Sequence, residues 1–471
     1  MRDIGSLDKV VTGGYCIGCG GCAAMDAGIR MEFDDLQRLQ AVLPDDRTPT
    51  PAATAACPFA DGNPDEDVLA GALFDAPEIR KDARIGRHLA TFGGWVEEGT
   101  MRACASSGGL GTWLQAELLD KGLVDAVLDV SEVNGEGDGA PLFRFTVAHD
   151  RDAILANAKT RYYPVEMSGV VRHILDNPGR YAVIGVPCFA KALRLAALVE
   201  PVLAKRLVFV LGIVCGHLKS AAFADAIAWQ CGIPPHELTS IDFRTKLEGR
   251  PASRYGATVK GIKDGEYVSV TRPMEGLVGA NWGHGLFKMK ACEFCDDVLA
   301  ETADAAVGDA WLPEYDGDHR GANVVVVRNP ALLSLLQAGA AEGRLKLDAL
   351  SADQVAASQA GGLRHRRDGL AYRLLLTDRK AVWRPTKRVS AGQDHLDPHM
   401  RKIHRLRFDL GQKSHAAFRK ARRSGNLHDF FAAIRPLIAT YDRHMAPSLP
   451  RRVVNLIRRK LLKLTALGRR T

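Results

Sequence analysis

Three cysteines at two-residue gaps, Cys16, Cys19 and Cys22, and a fourth, Cys57, set immediately before Pro58, constrain the fold of this chain more than any other feature. Thiolates are soft donors suited to iron. Two-residue gaps let one tight loop turn three sulfurs inward while a distant Cys-Pro closes the fourth corner. Gly18, Gly20 and Gly21 supply the turns of such a loop. The pattern predicts one iron-sulfur cluster. The position four beyond Cys22, which serves a second cluster in two-cluster ferredoxins, is Asp26, so this segment alone is expected to hold only one. A structural zinc site is the competing reading, although zinc sites normally use separated Cys pairs rather than an unbroken run of three. Disulfides are disfavoured. No apolar stretch follows Met1-Arg2-Asp3, so no secretory signal is expected and the address is read as cytoplasmic.

A chain of 471 residues, 46% of them hydrophobic, is long enough for two or three domains with substantial cores. No run of about 18 apolar residues occurs, so no transmembrane helix is expected. Charge is divided along the chain: 24 Lys and Arg stand against 5 Asp and Glu from Arg379 onward, and 39 against 50 before it. An acidic body thus carries a basic tail. From Arg451 to Arg470 the tail holds eight cations and no acid, interleaved with residues such as Val453, Leu456, Ile457, Leu461 and Leu464. That is the pattern of an amphipathic basic helix. It suits an anionic membrane surface, with a peripheral place at the inner membrane face, or an acidic partner, and it equally suits docking on the acidic body of the same chain. Nucleic acid is disfavoured, because no aromatic interleaving or reading motif accompanies the charge.

Residues 1 to about 60 read as mostly loop, and a short linker stretch runs to about Arg87. Beyond Gly93 strand and helix patterns alternate. Helices are expected at Thr112 to Lys121, Asp150 to Ala158, Val170 to Asp176, Ala190 to Val199, Ala331 to Ala341 and Ala352 to Ala360. Strands are expected at Val124 to Val130, Phe143 to Val147, Tyr181 to Val186, Leu207 to Val214 and Asn323 to Arg328, with a hairpin around Lys263-Asp264-Gly265. The alternation argues for an α/β fold class with some α+β character.

Four further cysteines form a second candidate set: Cys188 in Gly185-Val186-Pro187-Cys188, Cys215 in Cys215-Gly216-His217, and the pair Cys292 and Cys295. Cys188 and Cys215 lie just beyond predicted strands, where ligands gather in open α/β sheets, although free cysteine is also common core filler. Cys104 and Cys231 are left over, with burial the default for both. The run Ser106-Ser107-Gly108-Gly109 precedes a predicted helix and could present N–H groups and hydroxyls to a phosphate, or be simply a loop and cap. It is neither a Walker loop nor a Gly-x-Gly-x2-Gly fingerprint. Lys159, Arg161 and Tyr162 place two cations beside a phenol at a predicted helix exit, where they could grip phosphate, flank a planar ring or merely favour the helix C-terminus. Asp297 and Asp309 could bind ribose hydroxyls or act as turn residues.

Together these segments resemble one family, the coenzyme F420 hydrogenase/dehydrogenase beta subunits, F420 here naming a deazaflavin. The resemblance rests on the Cys16 to Cys22 run with Cys57-Pro58, Ser106 to Gly109, Lys159-Thr160-Arg161-Tyr162, Gly185 to Cys188, Cys215-Gly216-His217, Cys292-x2-Cys295-x-Asp297, and Ala303-Asp304 leading to Gly308-Asp309-Ala310-Trp311. It covers roughly residues 10 to 330. Members are flavoproteins that bind FAD and one or two 4Fe-4S clusters and pass electrons between a cluster relay and a hydride acceptor at the flavin. The resemblance implies a ferredoxin-like iron-sulfur region at 1–85 and an α/β flavin-binding core in two parts at 86–180 and 181–375; the long segment before Cys57 and the basic helical extension at 376–471 depart from a minimal member. It makes Cys188, Cys215, Cys292 and Cys295 ligands of a second cluster, and Ser106, Ser107, Gly108, Gly109, Lys159, Arg161, Tyr162, Asp297 and Asp309 candidates for holding FAD. The expected activity is an oxidoreductase with hydride transfer to or from a small organic partner, coenzyme F420 or another, and with a redox partner protein. His217 and Lys159 are the first candidates for acid-base work. The alternatives are an electron-transfer subunit or scaffold without its own substrate site, and a zinc-stabilised phosphate-binding module.

Overall fold

Short helices and two small hairpins build the N-terminal segment, where the sequence pattern suggests mostly loop. The structure is a computed structural model and describes residues 6–133 and 141–446. Helices Ser6–Thr12, Gly21–Met25, Pro51–Ala55 and Glu66–Leu73 alternate with two antiparallel pairs, β1 (Arg30–Phe33) with β2 (Leu39–Val42) and β3 (Arg80–Asp82) with β4 (Gly86–His88). Elements this short cannot display a helical period, which is why the sequence hides them. Asp26 ties the segment together. Its buried carboxylate accepts from Gly28 N and Thr50 N at 2.9 Å each and pairs with Arg47, whose hydrogen bond holds the carboxyl well below the usual range. The loop after Cys22 is thereby fastened to the helix that precedes Cys57.

The next strands are β5 (Ala90–Val96), β6 (Ala126–Glu132), β7 (Phe143–Ala148), β8 (Tyr181–Gly185) and β9 (Leu207–Ile213). After them come β10 (Leu238–Thr245), β11 (Gly256–Lys263) and β12 (Glu266–Pro273), and finally β13 (Ala305–Asp309), β14 (Asn323–Val327) and β15 (Leu345–Ala349). Eight of them make one sheet in the order β15-β5-β14-β13-β9-β8-β6-β7. The central run β13-β9-β8-β6 is parallel and the flanking pairs are antiparallel. Every residue of β8 and β14 is buried, as befits strands covered on both faces. On one face Val183 and Val210 share a core with Phe189 and Leu193 of the helix Pro187–Val199. On the other, Ala182, Phe209 and Leu211 share a core with Trp113 and Leu114 of the helix Leu110–Asp120. The sheet therefore unites strands from both parts of the expected flavin-binding core.

The expected hairpin forms β11 and β12, with positive φ at Asp264 and Gly265, and β10 completes a separate antiparallel sheet. The C-terminal extension contributes two long helices, Pro398–Ser424 and Leu427–Met445. Their apolar faces, including Leu410, Phe418, Phe430 and Ile434, pack on Phe223, Phe243 and Phe287. The segment before them returns to the N-terminal region, where Trp383 Nε1 donates to Asp61 at 2.8 Å and Arg388 pairs with Asp67 at 3.4 Å, and Arg388 also pairs with Glu301 of the core at 2.9 Å. Basic residues of the extension thus pair with acids of the body. The Arg451 to Arg470 pattern lies outside the described residues. Among the described residues no helix is long and apolar enough to cross a membrane.

Candidate functional site

Cys16, Cys19, Cys22 and Cys57 are all buried and line one void. Gly18 turns the loop between the first two with φ of 72°, and a Cβ there would lie 2.5 Å from Leu39 O, so only glycine fits. The remaining walls are apolar: Leu7, Val10, Tyr15, Met31 and Phe59 among them. Ala41 N points at Cys16 Sγ at 3.4 Å. Burial raises all four thiols, Cys57 to about 12, and the neighbouring sulfurs raise Cys19 and Cys22 further. Without a metal these sulfurs would stay protonated, and a bound metal is what makes such buried groups thiolates.

Cys188, Cys215, Cys292 and Cys295 line a second void together with Ile17, Phe59, Pro187, Leu218 and Arg366. Cys188 sits in the first turn of the helix Pro187–Val199 behind β8, and Cys215 follows the end of β9. The 3-10 turn Lys290–Phe294 brings in Cys292 and leads to Cys295. Leu218 N donates to Cys292 Sγ at 3.2 Å and Arg366 Nη1 to Cys295 Sγ at 2.8 Å. Burial raises Cys292 to about 12 and Cys295 to about 11. Ile17 and Phe59 line both voids, so one layer of side chains separates the two cradles. Among the described residues no three His, Cys, Asp or Glu side chains are grouped so as to hold a single metal ion. Each tetrad encloses a space instead. Of the two leftover cysteines, Cys231 is buried, but Cys104 is exposed, contrary to the default reading, because it ends a one-turn helix at the surface.

The two loop segments expected to hold a phosphate meet. Thr160 N donates to Ser106 Oγ at 2.9 Å, while Ser107 Oγ donates to Ala322 O at 2.9 Å. Gly109 has φ of 87° and starts the helix Leu110–Asp120, whose Leu110 N donates to Asn323 Oδ1 at 3.0 Å. Lys246 Nζ reaches the carbonyls of Arg102 and Ser107. Its amine is pushed down to about 8 by burial and by the charges of Lys159, Arg102 and Arg244, and no carboxylate pairs with it among the described residues. Arg161 stacks its guanidinium 4.9 Å from the Phe143 ring centre, and its buried Nε has no hydrogen-bond partner among the described residues. Arg102, Lys159 and Arg244 are each paired with a carboxylate, which leaves Lys246 and Arg161 as the cations beside the Ser-Gly loop without an ion pair among the described residues.

Other expected residues are already engaged. Lys159 pairs with Asp242 at 2.9 Å, and Asp309 takes a two-pronged ion pair from Arg244 at 2.8 and 3.1 Å. Asp297 lies beside Cys295, and its carboxylate accepts from Leu299 N and Glu301 N at 2.9 Å each, the turn role considered for it. Tyr162 packs edge-on against Trp282 at 4.7 Å, and its hydroxyl accepts from Arg244 at 3.3 Å. His217 lies 4.4 Å from the Trp282 ring centre, and its buried Nε2 has no partner. Burial and the charges of Lys219 and Lys288 hold its imidazole well below the usual range, so it is neutral. Lys246, Arg102, Arg244, Asn323, Trp282 and Arg366 were not legible as site residues. Arg102, Arg244, Asn323 and Arg366 come from strands and helices whose patterns report only packing, and Lys246 and Trp282 from connecting segments without a motif.

The α/β sheet thus carries one cysteine cradle at its strand ends, a second against it on the N-terminal loop, and the Ser106 to Gly109 loop beside them. Residues 91–172 match the N-terminal part, and residues 179–353 the C-terminal part, of the family described as "Coenzyme F420 hydrogenase/dehydrogenase, beta subunit". The chain belongs to this family. No curated protein matches it. Among solved structures it is similar to a chain of the F420-reducing [NiFe] hydrogenase complex from Methanosarcina barkeri, studied by xenon derivatization. The two are 16% identical over 67% of this chain and 100% of that one, with a TM-score of 0.47.

Proposed function

We propose that the chain is an iron-sulfur flavoprotein oxidoreductase, with 4Fe-4S clusters in the two cysteine cradles and FAD on the Ser106 to Gly109 loop. The observation that carries this reading is the pair of Cys tetrads, the first buried and the second partly so, lining two voids that share Ile17 and Phe59. When bound, the clusters would carry single electrons and the flavin would exchange a hydride with coenzyme F420 or another small organic partner. Lys246 and Arg161 would hold the diphosphate, and Tyr162 and Trp282 would wall a planar ring. The apolar side chains around both cradles exclude water. His217 Nε2, unpartnered on a neutral imidazole, is the atom available to take or return a proton, with Lys159 the second candidate. Unchanged flavin-to-acceptor turnover after alanine replacement of both would discard that assignment.

The family's description as a beta subunit favours a second reading, in which the chain relays electrons to a partner protein and has no substrate site of its own. Turnover of an organic acceptor by the isolated chain decides between them. A cytoplasmic place with peripheral attachment through the tail is tested by liposome binding after removal of residues from about Pro447 onward. The first test of the whole reading is iron, acid-labile sulfide, zinc and flavin quantitation on anaerobically purified protein. About eight irons and one FAD per chain are expected. Four irons without flavin would leave a ferredoxin-like transfer protein, and zinc without sulfide would leave the phosphate-binding module.

A further inference from the structure

Arg366 ends the helix Ala360–Arg366, outside the residues that match the family and outside the segments that carry the resemblance. Its side chain is almost completely buried. Nη1 donates to Cys295 Sγ at 2.8 Å and reaches the carbonyl of Asp297. Nη2 donates to the carbonyls of Cys215 at 2.9 Å and Gly216 at 3.0 Å. The guanidinium therefore bridges backbone turns that present the second tetrad, and it lines the void itself.

No carboxylate forms an ion pair with it among the described residues. The Asp297 carboxylate, the nearest acid in sequence to these contacts, is held by its own turn. A guanidinium buried with carbonyls and a sulfur as its only partners is an incomplete arrangement, because burying an unpaired charge costs several kcal/mol. Four thiolates around an iron-sulfur core carry net negative charge and would complete it. No Arg or Lys lines the Cys16 cradle, and the cations whose charge reaches its sulfurs, Arg38 and Lys191, are paired with Asp34 and Glu66.

We propose that Arg366 is the counter-cation and positioning residue of the second cluster, raising its reduction potential by charge and by the N–H···S bond to Cys295. The proposal rests on the reading of that tetrad as a cluster site. Each reduction adds one electron, and so one negative charge, beside a fixed positive one, which favours the reduced state. Hydrogen bonds to sulfur and net charge are the levers that set such potentials.

The test is a redox titration followed by EPR on anaerobically purified full-length protein, with the second-cluster signal identified as the one that Cys188→Ser removes. Arg366→Gln is expected to shift that midpoint to more negative potential and leave the first cluster's midpoint and the iron content unchanged. Arg366→Lys, which keeps the charge but not the fork, should fall between. Unchanged midpoints in Arg366→Gln with full iron would overturn the proposal. Should Arg366→Gln lose the cluster, retention of iron by Arg366→Lys supports a charge role, and loss from both variants overturns it in favour of packing. Wild-type protein with only four irons, or with zinc, would sink the cluster reading itself before any variant is made.

Discussion

The two cysteine cradles share a wall yet are made in opposite ways. The Cys16 cradle is local, three ligands on one loop pinned by Gly18 and walled by apolar side chains. The Cys188 cradle is assembled from the ends of β8 and β9, the 290s turn and a helix beyond the matched family region, and it carries a buried cation. Two sets of four cysteines are thus set in two different charge environments. The difference teaches that the ligand set decides which group is bound, while the surrounding wall decides how it behaves.

The largest expected effect separates the cradles outright. Cys19→Ser and Cys188→Ser should each remove about half the iron and sulfide, about four irons of eight. Loss of all iron from either variant would show the cradles to be one unit. Phe59, which lines both voids and lies under the Lys387 ammonium at 4.5 Å, should matter to both. Phe59→Ala is expected to cost about 3–5 kcal/mol in denaturant unfolding, and an effect below about 1 kcal/mol would mean that the shared wall is not well packed.

Asp26 sharpens the comparison on the N-terminal side. Asp26→Asn should cost about 1–3 kcal/mol and make only the Cys16 cluster more labile. Because Arg47 lowers the folded pKa, the stabilisation is present above the ordinary carboxylate value and is lost as pH falls through the folded one. Stability of Asp26→Asn should therefore vary less across the acid range, and an acid limb identical to wild type would contradict the ion pair.

The smallest effect concerns the loop beside the second cradle. Lys246→Met is expected to weaken FAD binding about tenfold, roughly 1.4 kcal/mol. In wild type the amine titrates near 8 when the site is free, and a bound diphosphate favours its charged form. FAD affinity should thus hold below about pH 8 and fall above it, and the Met variant should lose that fall. A pH-independent wild-type affinity would remove Lys246 from the site.

Much of the layout was legible beforehand, for identifiable reasons. Strands buried on both faces are unbroken apolar runs, so the parallel β8 and β9 and the antiparallel β14 appear within a residue or two of their expected ends. Asp150 and Pro330 mark their helices as a cap and a first-turn residue. Strand β13 was missed because Ala305–Asp309 is short and contains Gly308, and β10 because its buried residues alternate with polar ones near a charged stretch. The basic extension was expected to be helical, as it is, but charge along Pro398–Ser424 and Leu427–Met445 hid the bounds of its two helices.

The sequence by itself determined the Cys16 loop, because three ligands and their glycines are neighbours in the chain and short-range geometry needs no partner. It also determined the order of strands and helices, because burial imposes a period. Only the tertiary structure decided that Cys188, Cys215, Cys292 and Cys295 share one void, that Ser106 meets Thr160, and that Arg366 lies against Cys295. Those contacts join residues far apart in the chain, and no local pattern records a distance that only packing can close.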